Sequence, residues 1–181
     1  MQSLSQQQLY LALAYAKSLD ETAGRSLLEQ FQQQQPVLAQ AIFGIFPIVI
    51  AQQNQSLAEL FMDLSFDVIC VFQHGYGQLP AQSSIDSDWL REQTALIDAE
   101  LQALMPKMPG QTHNQPHAKP AEVAEINHDD LINFINDSIQ VYVDETGCAK
   151  DGIEVCRTLI SIVIRLLSSL YQHYDLQGLR H

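Results

Sequence analysis

Residues 55–74 hold the densest set of groups that could do chemistry. At a helical step of about 100° per residue, Ser56, Glu59, Asp63, Asp67, Cys70 and His74 share a strip about 80° wide. The other residues there are mostly large and apolar, Leu57, Leu60, Phe61, Leu64, Phe66, Val68, Ile69, Val71 and Phe72 among them. The spacing therefore predicts a largely buried helix with one narrow polar stripe. Carboxylates at i, i+4 and i+8 repel by a few tenths of a kcal/mol per pair in water, and by more when buried. Water, arginine or a metal ion could offset that repulsion.

Arginine has candidates. Arg157 and Arg165 lie two helical turns apart in a stripe with Glu154, Ser161, Ser168 and Gln172. That pitch matches the carboxylates of Glu59, Asp63 and Asp67, and those of Asp130, Asp137 and Asp144, so an ion-pair seam is one expectation. The metal alternative has donors of the right type. Carboxylate-metal sites in helical bundles, however, use Glu-x-x-His on two helices plus Glu from two more. Here the motif occurs once, at Glu125-Ile-Asn-His128. His113 and His117 are spaced i, i+4, but Pro116 lies between them and Pro120 follows, so they read as solvated loop histidines. Cys70 and His74 are also spaced i, i+4. Their place near the C-terminal end of a helix opposes a thiolate, because the dipole there disfavours an anion.

No nucleophile elbow, phosphate-binding glycine loop or dinucleotide fingerprint is present, and Gly75-Tyr76-Gly77 reads as a helix stop. No catalytic residue and no cofactor is expected. The net charge of −12, from 21 acidic and 9 basic residues, repels phosphate backbones and anionic lipid, which argues against nucleic acid and membrane as partners. It favours a basic partner or divalent cations.

The elements that must position these groups are helices. Ser5 with Gln8 has the capping-box form and opens helix one, which runs to about Leu19. Asp20 or Thr22 starts helix two, which ends near Gln34. Pro36 suits the first position of helix three, and Gly44 and Pro47 are expected to break or kink it between Val37 and Gln53. The glutamine runs at Gln6 to Gln8 and Gln32 to Gln35 read as helix surface. Helix four is the 55–74 segment. Helix five spans Trp89 to Leu104, helix six Asp129 to Asp144, and helix seven Asp151 to Tyr174. No alternating β-branched run predicts a strand. The fold class is all-α, a bundle of about seven helices.

A chain of 181 residues suits one helical domain, and roughly 70% of its unfolded surface can be buried without disulfide or metal. Helices one to five fall in 1–104, and a proline-rich linker covers 105–120. A C-terminal helical hairpin over 121–174 is expected to pack back on the first part or on a second chain, because helix seven is apolar over most of its circumference. Ile42, Phe43, Ile45 and Phe46 are apolar on nearly consecutive positions beside the expected break, so they form a candidate interaction patch. Cys70, Cys148 and Cys156 form no CxxC pair, which points to reduced thiols in the cytoplasm. Residues 1–19 lack a basic n-region, and no apolar run reaches the ~20 residues of a membrane span. The resulting expectation is a non-enzymatic interaction module that binds another protein or itself, with a homodimer through the C-terminal hairpin as one form. The alternative is a metal- or small-molecule-binding bundle, even an enzyme, that uses the stripe on helix four.

Overall fold

A computed structural model describes residues 3–104, 128–147 and 152–178. Among these the fold is all-α, with seven helices and no strand. The expected linker at 105–120, with His113 and His117, lies outside the described residues, as do Glu125 and Cys148.

Local chemistry sets most boundaries. α1 (Gln6–Ser18) opens on the expected capping box, in which the Ser5 hydroxyl accepts from the Gln8 amide and the Gln8 side chain accepts from the Ser5 amide. α2 (Glu21–Gln34) is capped by Asp20, which accepts from the Ala23 amide at 2.8 Å. The chain bends by 118° into α3 (Pro36–Ala51). The start of α3 is also secured from a distance. Gln82 accepts from the Val37 amide at 3.1 Å, and the buried Gln35 side chain donates to the Pro80 carbonyl.

The interruption expected at Gly44 and Pro47 takes the form of a π-helical turn over Ala41–Ile45 inside a continuous helical run. Pro47 has no amide hydrogen and its ring crowds the preceding turn. The wider turn accommodates it, and the Phe46 amide donates to the Ala41 carbonyl five residues back. Gly44 keeps ordinary helical space around it. A Cβ there meets only the end of the exposed Gln40 side chain, at 3.1 Å. Gly44→Ala is therefore expected to stabilise the protein by about 0.5–1 kcal/mol, because alanine loses less backbone entropy than glycine in a helix. Chemical denaturation would show a raised midpoint at unchanged slope. A lowered midpoint would mean that Gln40 cannot swing aside.

α4 (Gln55–Tyr76) is the central helix. Asn54 caps it, and Gly77 at φ 87° stops it, a backbone angle that side chains resist. α1, α3 and α7 (Ile153–Gly178) all pack extensively against α4, and Phe46 of α3 meets Phe61 in its N-terminal half. Leu4 lies against Gly75, while within α1 Lys17 meets Asp67 and Tyr15 lies beside His74. α5 (Ser87–Leu104) and α6 (Asp129–Thr146) are held more lightly, α5 resting on α7 and α6 on α7 and α1. A single apolar cluster runs through all seven helices and includes Ala12, Phe31, Phe46, Phe61, Phe72, Ile97, Ile139 and Leu159. The large apolar circumference of α7 is thus covered within the chain, leaving Tyr174 and Leu176 as its exposed large apolar residues.

Candidate functional site

The polar stripe of α4 divides into three parts. Glu59 and Asp63 are exposed. Asp67 and Cys70 are buried beneath α1. His74 is exposed at the far end and lies beside Tyr15 of α1, with ring centroids 5.4 Å apart. The group that meets Asp67 is not one of the expected arginines. It is Lys17 of α1, whose Nζ donates to Oδ2 at 2.6 Å. The Asp67 side chain is 5% exposed and the Lys17 side chain 65%, so the lysine reaches in from solvent along its stem. Burial pushes the Asp67 carboxyl above its ordinary range, the Lys17 hydrogen bond and charge pull it back, and the Asp63 charge adds to the rise. Burial also pushes the Cys70 thiol up to about 12, with the Asp67 charge adding to it. The Cys156 thiol is held at about 12 by burial as well. Neither sulfur is an available nucleophile.

The arginine seam expected from matching pitch does not form on this stripe. Arg165 meets Glu100 of α5, with Nη2 at 2.5 and 2.6 Å from its two carboxylate oxygens. Arg157 lies 3.4 Å from Glu154 one turn away and 3.4 Å from the Gln140 amide oxygen of α6. Equal pitch does not make two helices neighbours. α7 presents its arginines toward α5 and α6, and α1 covers the acidic side of α4. The partner of Asp67 was legible only in part: Lys17 stands out as the sole charge within residues 3–19, but no spacing rule links it to position 67.

The metal alternative finds no convergent donors, since no three His, Cys, Asp or Glu side chains gather among the described residues. His128 instead packs on Phe72, centroids 5.3 Å apart, and its Nε2 lies 3.0 Å from the Ser168 hydroxyl. Burial lowers the His128 pKa, which keeps the ring neutral there. His128, Phe72, Tyr76 and Tyr171 form an aromatic junction of α4, α6 and α7. The Tyr171 hydroxyl donates to the Gly77 carbonyl at 2.8 Å. A cavity of about 280 Å³ opens beside this junction, between Leu4, Leu9, Tyr76, His128 and Asp130. The Tyr76 hydroxyl is sealed there without a well-formed hydrogen bond. Burial raises its pKa to about 12, and the nearby Leu4 backbone pulls it back.

The candidate apolar patch on α3 is mostly core. Ile42 and Phe46 are fully buried, and Phe43 is half-buried edge-on to Phe31. Ile45, 40% exposed, remains outside with Ile48. A different apolar surface stands on α1. Its inner side buries Leu9, Ala12 and Ala16, and its outer side carries Tyr10, Leu11, Ala14 and Tyr15. Tyr10 is 72% exposed, Leu11 51% and Tyr15 40%. Residues 3–16 contain no charged side chain. Periodicity alone hid this face, because apolar residues on both sides of a helix read simply as a buried helix.

Comparison with known proteins found no matching family model, no matching curated protein and no matching solved structure. Among the described residues no single helix is long and apolar enough to cross a membrane. Only α2 and α3 taken together reach that composition, and Phe31, Leu38, Ile42 and Phe46 within them are buried in protein.

Proposed function

We propose that this protein is a non-enzymatic interaction module that holds another protein against the outer face of α1. The supporting observation is the uncharged, apolar strip of Tyr10, Leu11 and Tyr15 on a chain of net charge −12. Contiguous exposed apolar surface is characteristic of interaction sites, and tyrosine is enriched in them because it offers a large rigid area with a polar tip. The strip is built on a helix that is firmly packed on α4, so it is presented without an ordering cost on this side of the interface. The buried thiols and the scattered ligating groups give catalysis no comparable support.

Leu11→Glu tests this. Leu11 is half exposed, so the variant should keep the helical circular dichroism and melting temperature of the parent. Affinity-purified parent and variant are compared for co-purifying proteins. Loss of a parent-specific partner by about tenfold or more is expected, since a charge is driven into an apolar contact. An unchanged partner set would place the interaction elsewhere.

A further inference from the structure

We infer that the partner segment is a basic amphipathic helix about four turns long, with its apolar side on Tyr10, Leu11 and Tyr15 and cations at its two ends facing Asp130 and Asp63. This rests on the α1 face proposed above and adds the chemistry of what binds there. Contacts at the two ends of α1 locate the two carboxylates. At the N-terminal end, Ser3 and Leu4 share a cavity wall with Asp130 of α6. At the C-terminal end, Lys17 sits on Asp67, and Asp63 is the next residue of the same α4 stripe, close enough for its charge to act on Asp67. The strip from Leu4 to Lys17 is about 20 Å long at 1.5 Å per residue.

Asp63 and Asp130 are both exposed, and neither makes an ion pair or hydrogen bond among the described residues. Lys17, which meets the neighbouring carboxylate of the stripe, is already engaged by Asp67. Among the described residues, the surface is therefore apolar along its middle and carries a carboxylate without an ion-pair partner at each end. An apolar helix face with terminal lysines or arginines is its complement, and the mode is that of a helix laid on an apolar surface. A second copy of the chain fits less well. It would bring another charge of −12 to the interface, and a strip about 20 Å long falls short of the ~800 Å² per partner of a stable standard-size interface.

The test titrates the full chain by calorimetry with three synthetic peptides. One is a Leu/Lys helix with leucines on one face, one is its scrambled isomer, and one is the Leu/Glu counterpart. The Leu/Lys helix is expected to bind about tenfold more tightly than the scrambled isomer and to weaken as salt rises. Leu11→Ser is expected to weaken it about tenfold, and Asp63→Asn with Asp130→Asn about fivefold. Equal binding of the Leu/Glu helix, still sensitive to Leu11→Ser, would overturn the basic class and leave the α1 face standing. Equal binding of the scrambled isomer would overturn the inference, since charge alone would then suffice. Binding of none of the three would also overturn it, and the co-purification test then decides the α1 face separately. Sedimentation of the parent as a dimer that Leu11→Ser dissociates would make the occupant a second copy and overturn the basic partner.

Discussion

Phe72→Ala is expected to cost about 3–5 kcal/mol of folding stability, the range for removing a fully buried phenylalanine. Phe72 is 0% exposed and stands where three helices meet. Its ring lies 5.5 Å from Tyr76 of α4, 5.3 Å from His128 at the start of α6 and 5.9 Å from Tyr171 of α7. Truncation removes its buried area and these ring contacts together. It also opens onto the cavity of about 280 Å³ that Phe72 already lines, so the surrounding groups have little incentive to collapse inward. For a chain of this length the loss corresponds to about 10 °C or more in melting temperature. Phe43→Ala is the comparison, because Phe43 is half-buried against Phe31 and its loss should be visibly smaller. Urea unfolding of the two variants measures the difference. Equal losses would mean that the aromatic junction adds nothing to burial. Amide exchange should also quicken in α6 more than in α2, since α6 has few other contacts and depends on this junction.

Lys17→Met should destabilise the protein by about 2 kcal/mol near neutral pH, between the values for exposed and buried pairs. The lysine itself is mostly solvated and loses little. The cost comes from Asp67, left sealed and charged without its partner. Asp67→Asn added to Lys17→Met should recover much of the loss, because it removes the stranded charge. The pH dependence has a definite sign. Burial raises the Asp67 carboxyl above its ordinary 3.8, so the folded chain holds this proton more tightly than the unfolded chain. The stability it contributes is full below 3.8 and is lost as pH rises through the folded value. Lys17 limits that loss by pulling the value down. Without Lys17 the folded value climbs, the window widens upward, and more stability is lost at neutral pH. Denaturation midpoints at pH 5 and 7 should therefore diverge more in Lys17→Met than in the parent. A variant as stable as the parent at both values would mean that Asp67 finds water or a proton at no cost.

Helix existence was legible because it rests on short-range chemistry. The Ser5–Gln8 capping box, the Asp20 cap, Pro36 at the first turn of α3 and Gly77 after α4 each act within a few residues, and each is found as expected. The narrow polar side of α4 was legible for the same reason, since it follows from 3.6 residues per turn. The break in α3 was located correctly but its form was not, because a π-helical turn answers to how Ile42 and Phe46 must enter the core. The Gln82 side chain that secures the start of α3 comes from 45 residues away, beyond any local rule.

The sequence by itself determined that the chain is acidic, helical and furnished with a carboxylate stripe on α4. These are properties of composition and of neighbours a few residues apart. Tertiary structure alone decided which helix covers that stripe. α1 lies on α4, so Asp67 meets Lys17 while Arg157 and Arg165 turn to α6 and α5. The same packing decided which side of α1 faces outward. Leu9, Ala12 and Ala16 were taken into the core, and Tyr10, Leu11 and Tyr15 were left in solvent. Both outcomes have one physical cause. A helix specifies its own faces through its periodicity, but which face is buried depends on the partner helix, and that choice is made only when the whole core assembles.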